Sequence, residues 1–302
     1  MLSQRFSDNY LSLAVIISSA AWGLYWFPLR AVENIGISGS WSVVFINACP
    51  LIVLIPIFIF NYKKLASNFK ENILAAIMIG FAFSFYGYSL LESSIIRATL
   101  LFYLSPLWST VIGVIWLNEK FTHSRVLSIC LGLAGLFLLL SQNDSISNPL
   151  NIGDLCAVLS GVFWSVGGSL LKKYPNGSII SLTTFLYIAT TLISLAFATL
   201  FYKAAMPDIE IIKTAFPTAL LWSTFILAPG FIVLFLASKI LYPGRIGILM
   251  MSEVIVAIIS ASILVPEETM AIVQWVGAIG IILAAIVEIF FGNTSSESQT
   301  IR

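Results

Sequence analysis

Ten apolar stretches follow one another along the chain, at 11–31, 41–61, 72–91, 96–116, 124–141, 152–171, 179–202, 217–238, 246–265 and 271–291. A helix of about 20 apolar residues crosses the hydrocarbon core of a bilayer. The pattern therefore predicts ten membrane-spanning helices. The polar stretches between them are short, such as Asn143 to Asn151, and leave no room for a soluble domain. The first stretch starts at Leu11, is too long for a signal-peptide core and has only Arg5 as a basic residue before it; it is read as a retained span. Boundaries are least sharp between spans 3 and 4 and between spans 8 and 9.

Composition turns this pattern into a class. The chain is 59% hydrophobic and 10% charged, with a mean hydropathy of +1.00, which is too little polar surface to coat a globule in water. The expected fold is an all-α integral membrane protein with ten transmembrane helices. Lys and Arg fix its orientation, because positive loops stay in the cytoplasm. Eleven of them (Arg5, Lys63, Lys64, Lys70, Lys120, Arg125, Lys172, Lys173, Lys239, Arg245, Arg302) fall on one side and four (Arg30, Arg97, Lys203, Lys213) on the other. Both termini are thus expected in the cytoplasm. A net charge of +1 and the absence of a basic block exclude a nucleic-acid partner. Cys49, Cys130 and Cys156 lie in separate apolar stretches, so buried inert thiols are expected, with no disulfide framework, metal or cofactor.

The two halves repeat each other. Arg97, Glu119 and Gly132 recur as Arg245, Glu267 and Gly280 at a spacing of 148, and Trp22 and Arg30 recur as Trp164 and Lys172 at a spacing of 142. Five spans is an odd number, so a second copy runs through the bilayer upside down, which is the build of many secondary transporters. The expected units are 1–145 and 146–302. Gly132, Gly135, Gly161, Gly167, Gly168, Gly277 and Gly280 lie inside spans, where small residues let helices approach closely.

The run Arg97-Ala98-Thr99-Leu100-Leu101-Phe102-Tyr103-Leu104-Ser105-Pro106-Leu107-Trp108, then Leu117-Asn118-Glu119-Lys120-Phe121-Thr122 and Gly132-Leu133-Ala134-Gly135, resembles spans 4 and 5 of EamA-type proteins of the drug/metabolite transporter superfamily. Gly153-Asp154-Leu155 and Phe163-Trp164-Ser165 resemble the opening of that family's second repeat. Met250-Met251-Ser252-Glu253-Val254, Glu267 and Gln274-Trp275-Val276-Gly277-Ala278 are similar to its copy of the span 4–5 motif. Val254 departs from the proline that often follows the span 9 carboxylate, whereas Pro106 is kept in the first repeat. The resemblance implies ten helices around a central cavity that moves small metabolites, often amino acids or amphiphilic amines. The expected location is a bacterial inner membrane.

Glu253 is the sharpest candidate for chemistry. It lies about eight residues into its stretch, roughly 12 Å along a helix, and an ionisable group at that depth is costly unless paired or hydrated. It is read as a counter-charge for an amine or as a proton-coupling site, against a structural Glu clamping a neighbouring helix. Its counterpart Ser105 precedes Pro106, which is expected to kink span 4 and free a backbone carbonyl, either for packing or for the binding site. Pro229-Gly230 marks a second interruption. Trp22, Tyr25 and Trp26 share one face of a continuous span 1, and Phe102, Ser105, Ser109, Gly113 and Trp116 one face of span 4. With Tyr86, Tyr88 and Trp164 these aromatics are read as walls for a cation or a planar substrate, against an interfacial belt that suits Trp41 and Trp116.

The remaining charges read as structural. Glu119 and Glu267 pair with local bases or hold loops, Arg97 and Arg245 anchor span starts or gather anions, Asp154 complements a helix dipole, and Glu288 snorkels to the headgroups. Gly36-Ile37-Ser38-Gly39 matches the GxSG of intramembrane proteases, but Ser38 and the only histidine, His123, lie on opposite sides of the bilayer, so no enzyme is expected. The function read from the chain is a secondary transporter of a small organic metabolite, an amino acid or amine, with protons as a candidate coupling ion. The alternative is an exchanger of nucleotide sugars or other anions, which would need interior basic residues that the spans lack.

Overall fold

Helices fill the apolar stretches, and where they break is decided by proline, glycine and crowding against neighbours. The computed structural model of the chain describes residues 2–61, 69–93, 98, 101–141, 150–264 and 271–291. In the first half these form α1 (Leu2–Trp22), α2 (Trp26–Asn34), α3 (Gly39–Ala48), α4 (Leu51–Phe60), α5 (Phe69–Glu92), α6 (Ser105–Leu117) and α7 (His123–Leu140). The second half holds α8 (Ile152–Lys173), α9 (Ile179–Ala196), α10 (Ile209–Trp222), α11 (Ala228–Ile240), α12 (Pro243–Met250), α13 (Ser252–Leu264) and α14 (Ile272–Phe291). Wide π-helical turns at Phe197–Phe201 and Ser223–Leu227 extend α9 and join α10 to α11.

Seven helical stretches among the described residues are long and apolar enough to cross a membrane: Asp8–Asn34, Gly39–Phe60, Asn72–Leu90, Ile152–Lys173, Ile179–Phe201, Ile209–Ile240 and Ile272–Phe291. Ser105–Leu117 and His123–Leu138 are shorter apolar helices. Large apolar side chains such as Phe60, Ile115, Leu200 and Phe225 point outward, as a protein solvated by lipid requires. This is an integral membrane protein.

Proline mostly begins helices here. Pro106, Pro229 and Pro243 sit in the first turns of α6, α11 and α12, where a missing N–H costs no hydrogen bond. The kink expected inside span 4 is therefore replaced by a turn at Tyr103–Leu104 that ends before Pro106. The interruption at Pro229-Gly230 is absorbed by the π turn just before it. Span 1 is also discontinuous, with α1 ending at Trp22 and α2 starting at Trp26, so Trp22, Tyr25 and Trp26 do not share a helix face.

The tightest helix pairings are α8 on α5, α14 on α7 and α9 on α5. Glycines permit them. A Cβ on Gly280 would lie 3.2 Å from the Gly135 Cα, so α7 and α14 meet backbone to backbone. At the end of the bundle where these helices meet the α6–α7 loop, three charges are buried together. Arg125 Nη2 lies 2.9 Å from Glu119 Oε1 and 2.8 Å from Glu288 Oε1, and Arg125 Nε donates to Glu288 Oε2 at 3.1 Å. Glu288 is fully buried and does not snorkel; Arg125 neutralises it at a depth its own stem cannot leave. Burial raises the pKa of Glu119 above the usual carboxylate value, with Arg125 opposing and Glu288 adding to the rise. Arg245 is fully buried too, donating to Ser12 Oγ at 3.1 Å and to Asn9 Oδ1 at 3.3 Å, so it is a packed tie between α12 and α1 and no interfacial anchor.

Other expectations resolve locally. Asp154 forms a capping box with Asn151 at the start of α8 and accepts from Ser93 Oγ at 2.8 Å. Cys49 and Cys156 are buried, whereas Cys130 is exposed on the lipid side of α7, a correction to the expectation of three buried thiols. Ser38 precedes α3 after a turn in which Gly36 has φ 113°, a conformation that favours glycine. Arg97 and Glu267 lie outside the described residues.

Candidate functional site

Helix ends and helix faces from both halves of the chain converge on one cavity. From the first half come Ser19 and Trp22 of α1, Ala82, Phe83 and Tyr86 of α5, and Phe102; from the second come Ser160 and Trp164 of α8, Phe231 and Leu234 of α11, Met250 and Glu253. The cavity volume is about 30 Å³, room for a few waters and too small for a metabolite.

The aromatic wall is built on α1. Trp22 meets Phe83 at 4.9 Å and Phe231 at 4.6 Å between ring centroids, both edge-on, and Phe83 meets Phe231 at 4.6 Å. Gly230 makes room for the indole, because a Cβ there would sit 2.6 Å from Trp22 Nε1. Across the cavity Tyr86 packs on Phe102 at 4.8 Å. Three polar groups face this apolar surround. Ser160 Oγ donates to Ala82 O at 2.6 Å, while the buried Ser19 Oγ and Trp22 Nε1 have no hydrogen-bond partner among the described residues. Buried polar groups without partners are uncommon. They are ready for water or a ligand.

Glu253 carries the one formal charge among the lining residues. It is half-buried and stands in the first turn of α13, immediately after the break at Met251, rather than deep inside a continuous helix. There the unpaired amides of a helix N-terminus favour a carboxylate. Tyr103 Oη lies 2.6 Å from Glu253 Oε2 and donates to it.

Two helix breaks are braced by the opposite halves in matching ways. Gly23 follows α1 directly, and a Cβ on it would overlap the Glu253 carbonyl oxygen and lie 2.9 Å from the Ala257 amide. On the other side, Ser165 of α8 places Oγ 3.1 Å from the Ser105 carbonyl, and a Cβ on Gly161 would lie 2.9 Å from Phe102 O. Gly23 and Ser165 are 142 apart, and Ser105 and Glu253 are 148 apart, the two spacings of the sequence repeat.

Of the residues expected from sequence, Trp22, Tyr86, Phe102, Trp164 and Glu253 come together at the cavity. Tyr25, Trp26, Tyr88, Ser105 and Pro106 do not line it. Tyr25 packs on the far side of Trp22, with 5.6 Å between centroids, and Trp26 donates to Ser260 Oγ at 3.1 Å beneath the Arg30 guanidinium. Tyr88 donates to Ser194 O at 2.7 Å and stacks on Phe197 and Tyr202. Ser105 is buried between α6 and α8, and Pro106 contacts α12 at Gly247. Sequence reasoning passed over Tyr103, Ser19, Ser160, Phe83 and Phe231. Ser19 and Ser160 were findable, since they precede Trp22 and Trp164 by three and four residues and so share their helix faces.

The comparisons with known proteins point to membrane transporters. Residues 10–141 match the EamA-like transporter family, so the resemblance to EamA-type proteins of the drug/metabolite transporter superfamily is shown. The uncharacterised transporter YoaV of Bacillus subtilis (strain 168) is 24% identical over 208 residues, 66% of this chain and 69% of that protein. An S-adenosylmethionine uptake transporter of Rickettsia bellii (strain RML369-C) is 26% identical over 192 residues, 62% of this chain and 61% of that protein. The fold also matches a crystal structure with a TM-score of 0.72 at 16% identity, covering 93% of this chain and 96% of that one. Among the described residues no group of side chains could hold a metal ion.

Proposed function

We propose that this chain is a secondary transporter of a small organic amine or amino acid, carried through the Glu253 cavity by alternating access. The observation that carries the reading is the lining itself: aromatic walls, one carboxylate and no basic residue. Such a site attracts a positive charge through the carboxylate and through the negative faces of the rings. A phosphate-bearing anion would meet a carboxylate and no basic residue there, which disfavours a nucleotide-sugar exchanger.

Ten spans are assigned by adding α6, α7 and the α12–α13 pair to the seven long stretches. The units 1–145 and 146–302 are read as inverted repeats, supported by the matched bracing of Gly23 on Glu253 and of Ser165 on Ser105. In this arrangement Trp22, Tyr86, Phe102 and Trp164 contact substrate and Glu253 sets its charge. Pro106, packed on Gly247, acts at the seam between the halves as a gating element. Tyr25, Trp26, Tyr88 and Ser105 support the walls from behind. Both termini are read as cytoplasmic, in a bacterial inner membrane, from the excess of Lys and Arg on that side. S-adenosylmethionine, both an amino acid and a sulfonium cation, belongs to the chemical class the site favours.

The test is flux into proteoliposomes with radiolabelled S-adenosylmethionine, choline, L-phenylalanine and UDP-glucose, for wild type and Glu253→Gln. Uptake of an amine-bearing or cationic probe, reduced about tenfold or more in Glu253→Gln, equivalent to about 1.4 kcal/mol, is the expected result. Transport of UDP-glucose alone, or unchanged uptake by the variant, would overturn the reading.

A further inference from the structure

Tyr103 was not among the residues expected at the site, yet it touches both sides of the break between α12 and α13 beside the cavity. Its side chain is fully buried. The hydroxyl lies 2.6 Å from Glu253 Oε2 and 3.1 Å from the Met250 carbonyl oxygen. That carbonyl ends α12. The Val254 amide, which would bond it in a continuous helix, turns instead to Met251 O at 3.1 Å. Tyr103 itself stands in the turn before α6, so one hydroxyl bridges two helix breaks from opposite halves of the chain.

A tyrosine hydroxyl has one proton and here has two acceptors. While Glu253 is a carboxylate, the charged acceptor wins the proton and the Met250 carbonyl receives none. When a proton binds Glu253, its new O–H donates to Tyr103 Oη, and the phenolic proton swings to Met250 O. A cationic group paired with the carboxylate weakens its pull on the phenolic proton and favours the same release without the added proton. We propose that Tyr103 is a positioning residue that couples the charge on Glu253 to the broken backbone between α12 and α13. This rests on the transport reading above and deepens it, since it says how one site senses its occupant. Tyr86 of α5 is the other titratable group on the cavity wall; the lining residues of α1, α8, α11 and α12 contribute none.

The experiment needs no substrate. An apolar carbodiimide adds to protonated carboxyl groups, and mass spectrometry of the peptide containing Glu253 reads its labelling rate across a pH series in purified full-length protein. Tyr103→Phe keeps the ring and removes the donor. Its labelling at about pH 8 is expected to rise about tenfold over wild type, the scale of one hydrogen bond to a charged group. Glu253→Asp, labelled at residue 253, withdraws the carboxyl by one methylene and is expected to reproduce the change, which keeps the test decisive if Tyr103→Phe does not fold. Rates that superimpose on wild type at every pH would overturn the proposal, because a tyrosine that does not hold Glu253 as a carboxylate cannot pass its charge to the backbone. Failure here with Glu253-dependent flux intact removes only the Tyr103 coupling, whereas flux indifferent to Glu253→Gln removes the transport site itself.

Discussion

Gly23 and Glu253 touch through backbone, with the glycine seated against the carbonyl oxygen of the residue whose side chain faces the cavity. Any side chain at residue 23 drives α1 away from the start of α13. Gly23→Ala is therefore expected to destabilise by about 1–3 kcal/mol, the usual cost of overpacking, and to weaken ligand-induced stabilisation. Gly168→Ala is the control, since a Cβ there meets nothing within 4 Å. Melting curves of both variants in detergent check this; equal melting temperatures would refute the close approach.

Arg125 serves two carboxylates, Glu119 and Glu288, in a buried trio with one more acid than base, and Lys172 adds attraction for Glu119. Arg125→Gln leaves both acids uncompensated and is expected to cost about 3–5 kcal/mol. Glu119→Gln leaves a one-to-one pair between Arg125 and Glu288, and its loss is expected to be much smaller. The order of melting temperatures, wild type near Glu119→Gln and far above Arg125→Gln, is the outcome to measure. Similar losses in the two variants would show that pairing, and not charge excess, sets the stability of this end.

The same cluster gives a pH dependence with a definite sign. Burial raises the Glu119 pKa in the folded protein above the unfolded value near 4.5, so the folded state holds this proton more tightly. The associated stability is present in full below the unfolded value and is lost as pH climbs through the raised folded value. Unfolding free energy should thus decline from about pH 4.5 upward in wild type, with a shallower slope in Glu119→Gln. An identical slope in both proteins would assign the pH dependence elsewhere.

Much of the fold could be read from hydropathy, because lipid demands long apolar runs and the chain supplies them. The helix breaks could not. Gly23 is one of many glycines in the apolar runs and Met251 favours helix, so neither break stands out by composition; at Gly23 the Glu253 backbone packs close, and at Met251 the Tyr103 hydroxyl reaches the carbonyl that α12 leaves at Met250. At the site, Trp22, Trp164 and Glu253 were legible from the repeat and from the cost of a charge in an apolar run. Arg125 and Glu288 are 163 residues apart, so Glu288 looked like an isolated acid near a helix end. Tyr86 and Tyr88 were grouped although two residues turn a helix by about 200°, which places them on opposite faces.

That separation makes Tyr88 a sharp test of which side of α5 faces the cavity. Its hydroxyl donates to Ser194 O and its ring stacks on Phe197 and Tyr202, so Tyr88→Phe removes one buried hydrogen bond and keeps the stack. A loss of about 1 kcal/mol in stability is expected, with the Ser194 carbonyl left to its helical partner. On the proposed transport reading, apparent affinity for the transported substrate should stay within about twofold of wild type, because α5 turns this residue away from the cavity. Tyr86→Ala, by contrast, strips the ring that packs on Phe102 at the cavity wall and should weaken that affinity about tenfold, as loss of an aromatic contact to a desolvated cation does. Side-by-side KM measurements in proteoliposomes decide it: a larger effect at Tyr88 than at Tyr86 would mean that the substrate path runs along the α5–α9 seam and not through the Glu253 cavity.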